Sequence, residues 1–157
     1  MIDDNVKQAL EEAGVAYNVL EFEEPFINVR HAALMCKAHV ANMAKTVAFA
    51  GPGGAIVITM AGNAKVDSRK FKDRFGSRPV TLEPEDVLAM TGYEVGNVTP
   101  LGIRRDGVQV FMDISLKRVG GKELAYPSGG KESHAVAITI DDLYKAGKFE
   151  GLVDVCK

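Results

Sequence analysis

The stretch KTVAFAGPGGAIVITMAG, residues 45–62, constrains this chain more than any other. Two runs rich in Val, Ile, Ala, Phe and Thr flank a Gly-Pro-Gly-Gly cluster, which is the composition of a β-hairpin with its turn at the glycines. The first run should become a buried strand, and Lys45 stands directly before it. A charged group at the head of such a strand calls for a reason.

Around the hairpin, turn and cap residues divide the chain into further elements. Asp3 to Ala13 carries Val6, Ala9, Leu10 and Ala13 at the i, i+3, i+4, i+7 spacing of a helix with one buried side, and Gly14 ends it. VAYNVLEF, residues 15–22, has strand composition and is stopped by Pro25. Asn28 is an N-cap for a helix over VRHAALMCKAH, and a short irregular or helical turn leads on to Lys45. DSRKFKDRFG, residues 67–76, is a basic helix capped by Asp67 or Ser68. EPEDVLAMTG, residues 83–92, is another, with Pro84 in its first turn. After a loop from Gly92 to Gly102 and the turn RRDG, the stretches VQVFMDIS, ELAY and HAVAITI read as strands, and Asp141 opens a last helix. Strands in hairpins, interrupted by separate helices, predict a single α+β domain. Its sheet should be curved and mixed or antiparallel, or a partly open barrel, flanked by helices.

Composition narrows the class. With 157 residues, 46% hydrophobic and 25% charged, the chain can bury one substantial core, whereas two domains would each be too small. No stretch approaches the roughly 20 apolar residues that span a bilayer, and the opening residues are acidic and amphipathic, so a soluble cytoplasmic protein with no membrane partner is expected. Cys36 and Cys156 lie too far apart in sequence for a CxxC pair and too few for a disulfide framework, so both thiols should be reduced. A formal net charge of -2 argues against a dedicated nucleic-acid coat. Base nevertheless concentrates in KVDSRKFKDRFGSR, residues 65–78, and recurs at Arg104, Arg105, Lys117, Arg118 and Lys122. Such a distribution serves either a local phosphate-binding face or ordinary solvated helix and hairpin surfaces.

Three glycine-containing loops are candidates for chemistry, because glycine permits positive φ and close backbone approach. GPGG is explained by its turn. TGYEVGNVTPLG holds three glycines and a proline, more than a helix-to-strand connection requires. Gly96 and Pro100 would fix a bend with the amides of Asn97, Val98 and Thr99 exposed to a phosphate, a carboxylate or a developing oxyanion. The third loop is PSGGKES. His31, Cys36 and His39 suggest a metal site, but on one helix their offsets spread them over roughly 140°, so neither metal nor cofactor is expected. Cys36 has no identifiable base and reads as a buried thiol. His134, at a strand end beside PSGGKES, and Asp113, interrupting an apolar strand, fit either a structural or a site role.

Taken in order, AKTVAF, MAGNAKVDSRKF, TGYEVGNVTPLG, VFMDISL and YPSGGKESHAVAITIDDL resemble the YbaK family of aminoacyl-tRNA editing domains, over roughly residues 20–145. That family includes the editing insertion of bacterial prolyl-tRNA synthetase and its free-standing relatives. The resemblance implies hydrolysis of the ester between a wrong amino acid and the 3′ end of a tRNA, usually proline tRNA charged with alanine or cysteine. It makes the lysine matching Lys45 essential. It also places a GxxxP loop, here Gly96, Asn97, Val98, Thr99 and Pro100, along the substrate pocket, with Gly129, Gly130 and His134 beside it.

On this resemblance, Lys45 would hold phosphate or ribose oxygens of the terminal adenosine, and the amides of 97–99 would face the oxyanion. A bound water or a substrate hydroxyl would be the nucleophile. Lys65, Arg69, Lys70 and Arg74 would meet the acceptor end of the tRNA, with prolyl-tRNA synthetase or an elongation factor as a further partner. Asn63 departs from the acidic residue of many relatives, and the stretch after the final GG is longer than in some cysteine-specific members, so amino-acid preference stays open. Two other classes compete: a non-catalytic module that binds a free amino acid, nucleotide or protein in the same pocket, and a hydrolase dependent on Cys36.

Overall fold

The computed structural model describes residues 1–103 and 106–157. Arg104 and Arg105, named above among the basic positions and in the RRDG turn, lie outside the described residues. The hairpin forms where its composition puts it: β2 (Met43–Gly51) and β3 (Gly54–Ala61) pair antiparallel with Gly51 opposite Gly54, leaving Pro52 and Gly53 as the turn.

The remaining strands are β1 (Asn18–Glu21), β4 (Val108–Asp113), β5 (Leu124–Pro127), β6 (His134–Thr139) and β7 (Leu152–Val153). All seven form one sheet in the order β1-β6-β5-β2-β3-β4-β7. β5 runs parallel to β2, β4 to β3 and β7 to β4, while the other neighbours are antiparallel. The sheet is therefore mixed, and it stays open, with β1 and β7 at its edges.

β3 is the centre of the molecule. Every residue from Ala55 to Ala61 is buried, because side chains alternate between two faces and both faces are covered. On one face Val57 joins Val6 and Leu10 of α1 (Asp4–Ala13) and Leu143 of α6 (Ile140–Ala146). On the other, Ile56, Ile58 and Met60 pack with Phe49, Phe111 and Phe71. Phe71 is the buried residue of α3 (Ser68–Phe75), and sealing such a ring contributes about 1.5–3 kcal/mol.

Caps fix where these helices begin. Asp3 accepts a hydrogen bond from the Asn5 amide, and Asp67 accepts from the amides of Arg69 and Lys70. The second helix, α2 (Val29–Cys36), is capped by Asn28 and stops at Lys37, short of the expected His39. A single 3₁₀ turn, Val40–Asn42, then delivers the chain to β2. α4 (Pro84–Thr91) carries its proline in the first turn, as expected.

Three further details differ from expectation. VQVFMDIS is not strand to its end: the Asp113 side chain accepts from the Ser115 amide and starts a one-turn helix, α5 (Ile114–Lys117). The last helix is capped by Thr139, so Asp141 sits inside its first turn rather than at its opening. The two-residue strand β7 carried no signal of its own.

Candidate active site

Lys45 and the Gly96 loop converge on one cavity of about 350 Å³. β2 brings Met43 and Lys45 to it, and Met43 pairs across the sheet with Tyr126 of β5, which lines the opposite side. Ahead of α2, Phe26 and Ile27 close a third side. Their position is set by His31, whose Nδ1 accepts the Ile27 amide at 3.0 Å and whose ring packs edge-on against Phe26. His39 accepts the Ala41 amide at 3.1 Å and caps the 3₁₀ turn. The two histidines thus shape the backbone beside the cavity. Among the described residues no group of three or more His, Cys, Asp or Glu side chains is arranged to hold a metal ion.

Lys45 is half-buried, and its ammonium donates a short hydrogen bond to the Ala64 carbonyl. Among the described residues no carboxylate pairs with it. Burial lowers its pKa from the ordinary lysine value, the neighbouring charge of Lys65 acts in the same direction, and Cys156 opposes both. An ammonium in this state, balanced only by a carbonyl dipole, gains from any oxygen-rich or anionic ligand that reaches it.

The loop opposite is braced from within. Gly96 takes φ 90, a left-handed conformation that favours glycine. The Tyr93 hydroxyl donates to the Leu101 carbonyl at 2.6 Å, closing the loop. The Ser128 hydroxyl donates to the Asn97 carbonyl at 3.1 Å and accepts the Gly130 amide at 3.0 Å, stitching the two glycine loops together. Of the three amides expected to face an oxyanion, that of Asn97 is committed to the Glu94 carbonyl at 2.9 Å. Those of Val98 and Thr99 donate to no group among the described residues.

The other expected site residues divide. Gly96, Asn97, Val98 and His134 line the Lys45 cavity; Thr99 and Pro100 are buried behind the loop. Gly130 lines an adjoining cavity of about 450 Å³, which shares Phe26, Gly96 and Asn97 with the first. Gly129 is a packing residue, since a Cβ there would stand 2.8 Å from the Ile2 side chain. His134 donates through Nδ1 to the Glu132 carbonyl at 2.8 Å and accepts from the Met1 ammonium through Nε2 at 3.0 Å, which occupies both ring nitrogens. Cys36 is half-buried rather than fully buried, and burial pushes its thiol up to about 11, far from the thiolate a nucleophile needs.

The basic residues are also unequal. Lys65 lies next to Ala64 and close enough to lower the Lys45 pKa, so the basic stretch begins at the cavity. Arg69 is exposed on α3. Lys70 is tied to Asp154 at 3.1 Å and to the Cys156 carbonyl at 2.9 Å, and Arg74 lies over the rings of Phe75 and Phe111. Sequence reasoning missed Phe26, which no motif marks, and, as a cavity residue, Tyr126, which heads YPSGGKESHAVAITIDDL. Ser128 lay in plain sight inside PSGGKES.

Comparison with known proteins follows the same lines. A relative from Bacillus subtilis (strain 168), the uncharacterized protein YwhH, is 34% identical over 141 residues, covering 89% of this chain and 87% of YwhH. A solved structure assigned provisionally as a trans-editing enzyme for prolyl tRNA synthetase superposes with a TM-score of 0.84 at 22% identity, covering 100% of this chain and 99% of that one. A hypothetical protein of known structure gives a TM-score of 0.83 at 20% identity, covering 98% and 100%. Both structural likenesses concern the fold. Among the described residues no helix is long and apolar enough to cross a membrane. The sequence model of the aminoacyl-tRNA editing domain matches residues 23–146, which span Lys45, both glycine loops and the whole sheet except β1 and β7, and the chain belongs to that family.

Proposed function

We propose that residues 1–157 act as one cytoplasmic editing domain, a deacylase that works in trans and hydrolyses the ester of a mischarged tRNA, with cysteine or alanine on proline tRNA as its substrate. The observation that carries this reading is the convergence on one cavity of the Gly96–Val98 loop and a half-buried Lys45 that no carboxylate among the described residues pairs with.

In this mechanism the Lys45 ammonium holds ribose or phosphate oxygens of the terminal adenosine and so places the ester carbonyl against the loop. A water attacks the carbonyl carbon. The carbonyl electron pair moves onto its oxygen, where the amide of Val98, which lines the cavity, is the available donor. The bond to the ribose oxygen then breaks, and that oxygen takes the proton given up by the water, releasing amino acid and tRNA. A ribose hydroxyl of the substrate can replace the water as first nucleophile, with hydrolysis following. No side-chain nucleophile is required, consistent with the raised Cys36 thiol.

Lys65 and Arg69 extend positive charge from the cavity along α3 toward the acceptor stem, and prolyl-tRNA synthetase or an elongation factor would present the charged tRNA. The test is deacylation of Ala-, Cys-, Ser- and Pro-charged proline tRNA by the wild type and by Lys45→Ala. Selective hydrolysis of one mischarged species is expected, reduced at least about 100-fold in the variant. Binding of an amino acid or nucleotide with no ester turnover on any tRNA would instead make this a binding module.

A further inference from the structure

The carbonyl that receives the Lys45 ammonium belongs to the loop 62–67 between β3 and α3, and this loop is gripped from two sides. On one side Gly62 presses against the 3₁₀ turn: a Cβ there would lie 2.3 Å from the Val40 carbonyl oxygen. The Ala64 amide donates to the Ala61 carbonyl at 2.9 Å and closes the turn. On the other side runs the segment 152–157. The Asp67 amide donates to the Val155 carbonyl at 2.8 Å, the Lys157 amide donates to the Lys65 carbonyl at 2.9 Å, and Val66 pairs antiparallel with Cys156.

That segment is seated by a carboxylate with no exposure to solvent. Asp113 Oδ1 accepts the Val155 amide at 2.8 Å, and Oδ2 accepts the Ser115 amide at 2.9 Å. Ser115 in turn accepts the Ala61 amide at 3.2 Å through its hydroxyl. One buried side chain therefore ties together β4, the segment 152–157 and the end of β3 from which the loop departs.

We infer that Asp113, with the segment 152–157 that it seats, is a positioning residue for Lys45, holding in place the loop whose Ala64 carbonyl fixes the ammonium at the cavity wall. Its effect on turnover rests on the deacylase reading, whereas its effect on the placement of Lys45 does not. A buried carboxylate that accepts two amides cannot be replaced by an amide without setting a donor against a donor. The groups facing Lys45 here are the Cys156 thiol, which burial pushes up to about 12, and the Lys65 ammonium; Asp113 faces that same thiol. A shift of the loop moves Lys45 relative to all of them.

The experiment is Asp113→Asn in the full chain, read without tRNA first. Amide exchange at residues 64–67 is expected to accelerate roughly tenfold or more while β2 and β3 stay protected. The pH dependence of Lys45 acylation by a small amine-reactive active ester is expected to shift from that of the wild type. With charged tRNA, kcat should fall about tenfold or more with KM changed less than about twofold. A variant that only melts earlier, with the Lys45 titration and the kcat of its folded fraction unchanged, overturns the inference.

If Asp113→Asn fails to fold, Lys70→Met releases the same segment through the Cys156 carbonyl from an exposed position. The same displaced Lys45 titration is expected, and an unmoved titration with unmoved exchange overturns the inference. A wild type without deacylase activity whose Lys45 titration still moves in either variant removes the proposed function and leaves the positioning role standing.

Discussion

Half-buried and partnered by a carbonyl alone among the described residues, the Lys45 ammonium carries a desolvation cost that a surface lysine avoids, so it loses its proton below the ordinary value of about 10.4. The charged form is present at neutral pH and disappears as pH rises through this lowered pKa. Deacylation should therefore decline on the alkaline side earlier than an unperturbed lysine would allow, as measured by kcat/KM from about pH 6 to 10. Whatever activity Lys45→Arg retains should lack that decline, since a guanidinium stays charged throughout; a persisting decline would assign it to another group. Cys36→Ser is expected to keep deacylation within about twofold of the wild type, because a thiol pushed up to about 11 is protonated at working pH. A lysine at the head of an apolar run stands out in sequence, and so does a glycine-dense loop. Phe26 and Tyr126 do not, because a cavity wall assembled from separate elements has no period along the chain.

The hairpin, α1, α3 and α4 each fall where turn and cap residues put them: the Pro52–Gly53 turn, Asp3 and Gly14, Asp67 and Gly76, Pro84 and Gly92. α5 and β7 span four and two residues and exist because of what they pair with: Asp113 caps one, and β4 pairs with the other. Asp113 is a cap that the sequence carries next to α5, but a four-residue helix shows no apolar period, and only the folded chain brings β4 beside β7. The same holds for the crossing of the loop 62–67 over the 3₁₀ turn, where Gly62 leaves no room for a side chain. Gly62→Ala must displace the Val40 carbonyl, at about 1–3 kcal/mol for such overpacking. Chemical denaturation measures that loss, and a stability within about 0.5 kcal/mol of the wild type would mean that the turn yields freely.

Across the whole molecule, positive charge is useful to a polyanion only where it is not already spent. Lys70 is paired with Asp154 and Arg74 lies on two aromatic rings, whereas Lys65 and Arg69 are exposed beside the cavity and on the helix that leads away from it. Charge reversal at Lys65 and Arg69 together should raise KM for charged tRNA and flatten its dependence on salt, with kcat nearly unchanged. Salt titration of the KM checks this, and an unaltered slope would move the tRNA contact elsewhere. The mixed sheet was legible as a class from its hairpins and intervening helices. Its strand order was not, because the parallel neighbours β5 beside β2 and β4 beside β3 are joined through long connections whose ends meet only in three dimensions.

The bond between Lys45 and Ala64 joins a side chain to the main chain, and this asymmetry has a genetic consequence. Position 64 contributes its carbonyl whatever side chain it bears, so a saturation scan should find Lys45 intolerant and the small replacements at Ala64 nearly silent. Proline would be the exception, because it would remove the N–H that holds Ala61. Half of the contact that anchors the charge thus leaves little trace in a mutational record, and the site's footprint in such data would be smaller than its physical extent.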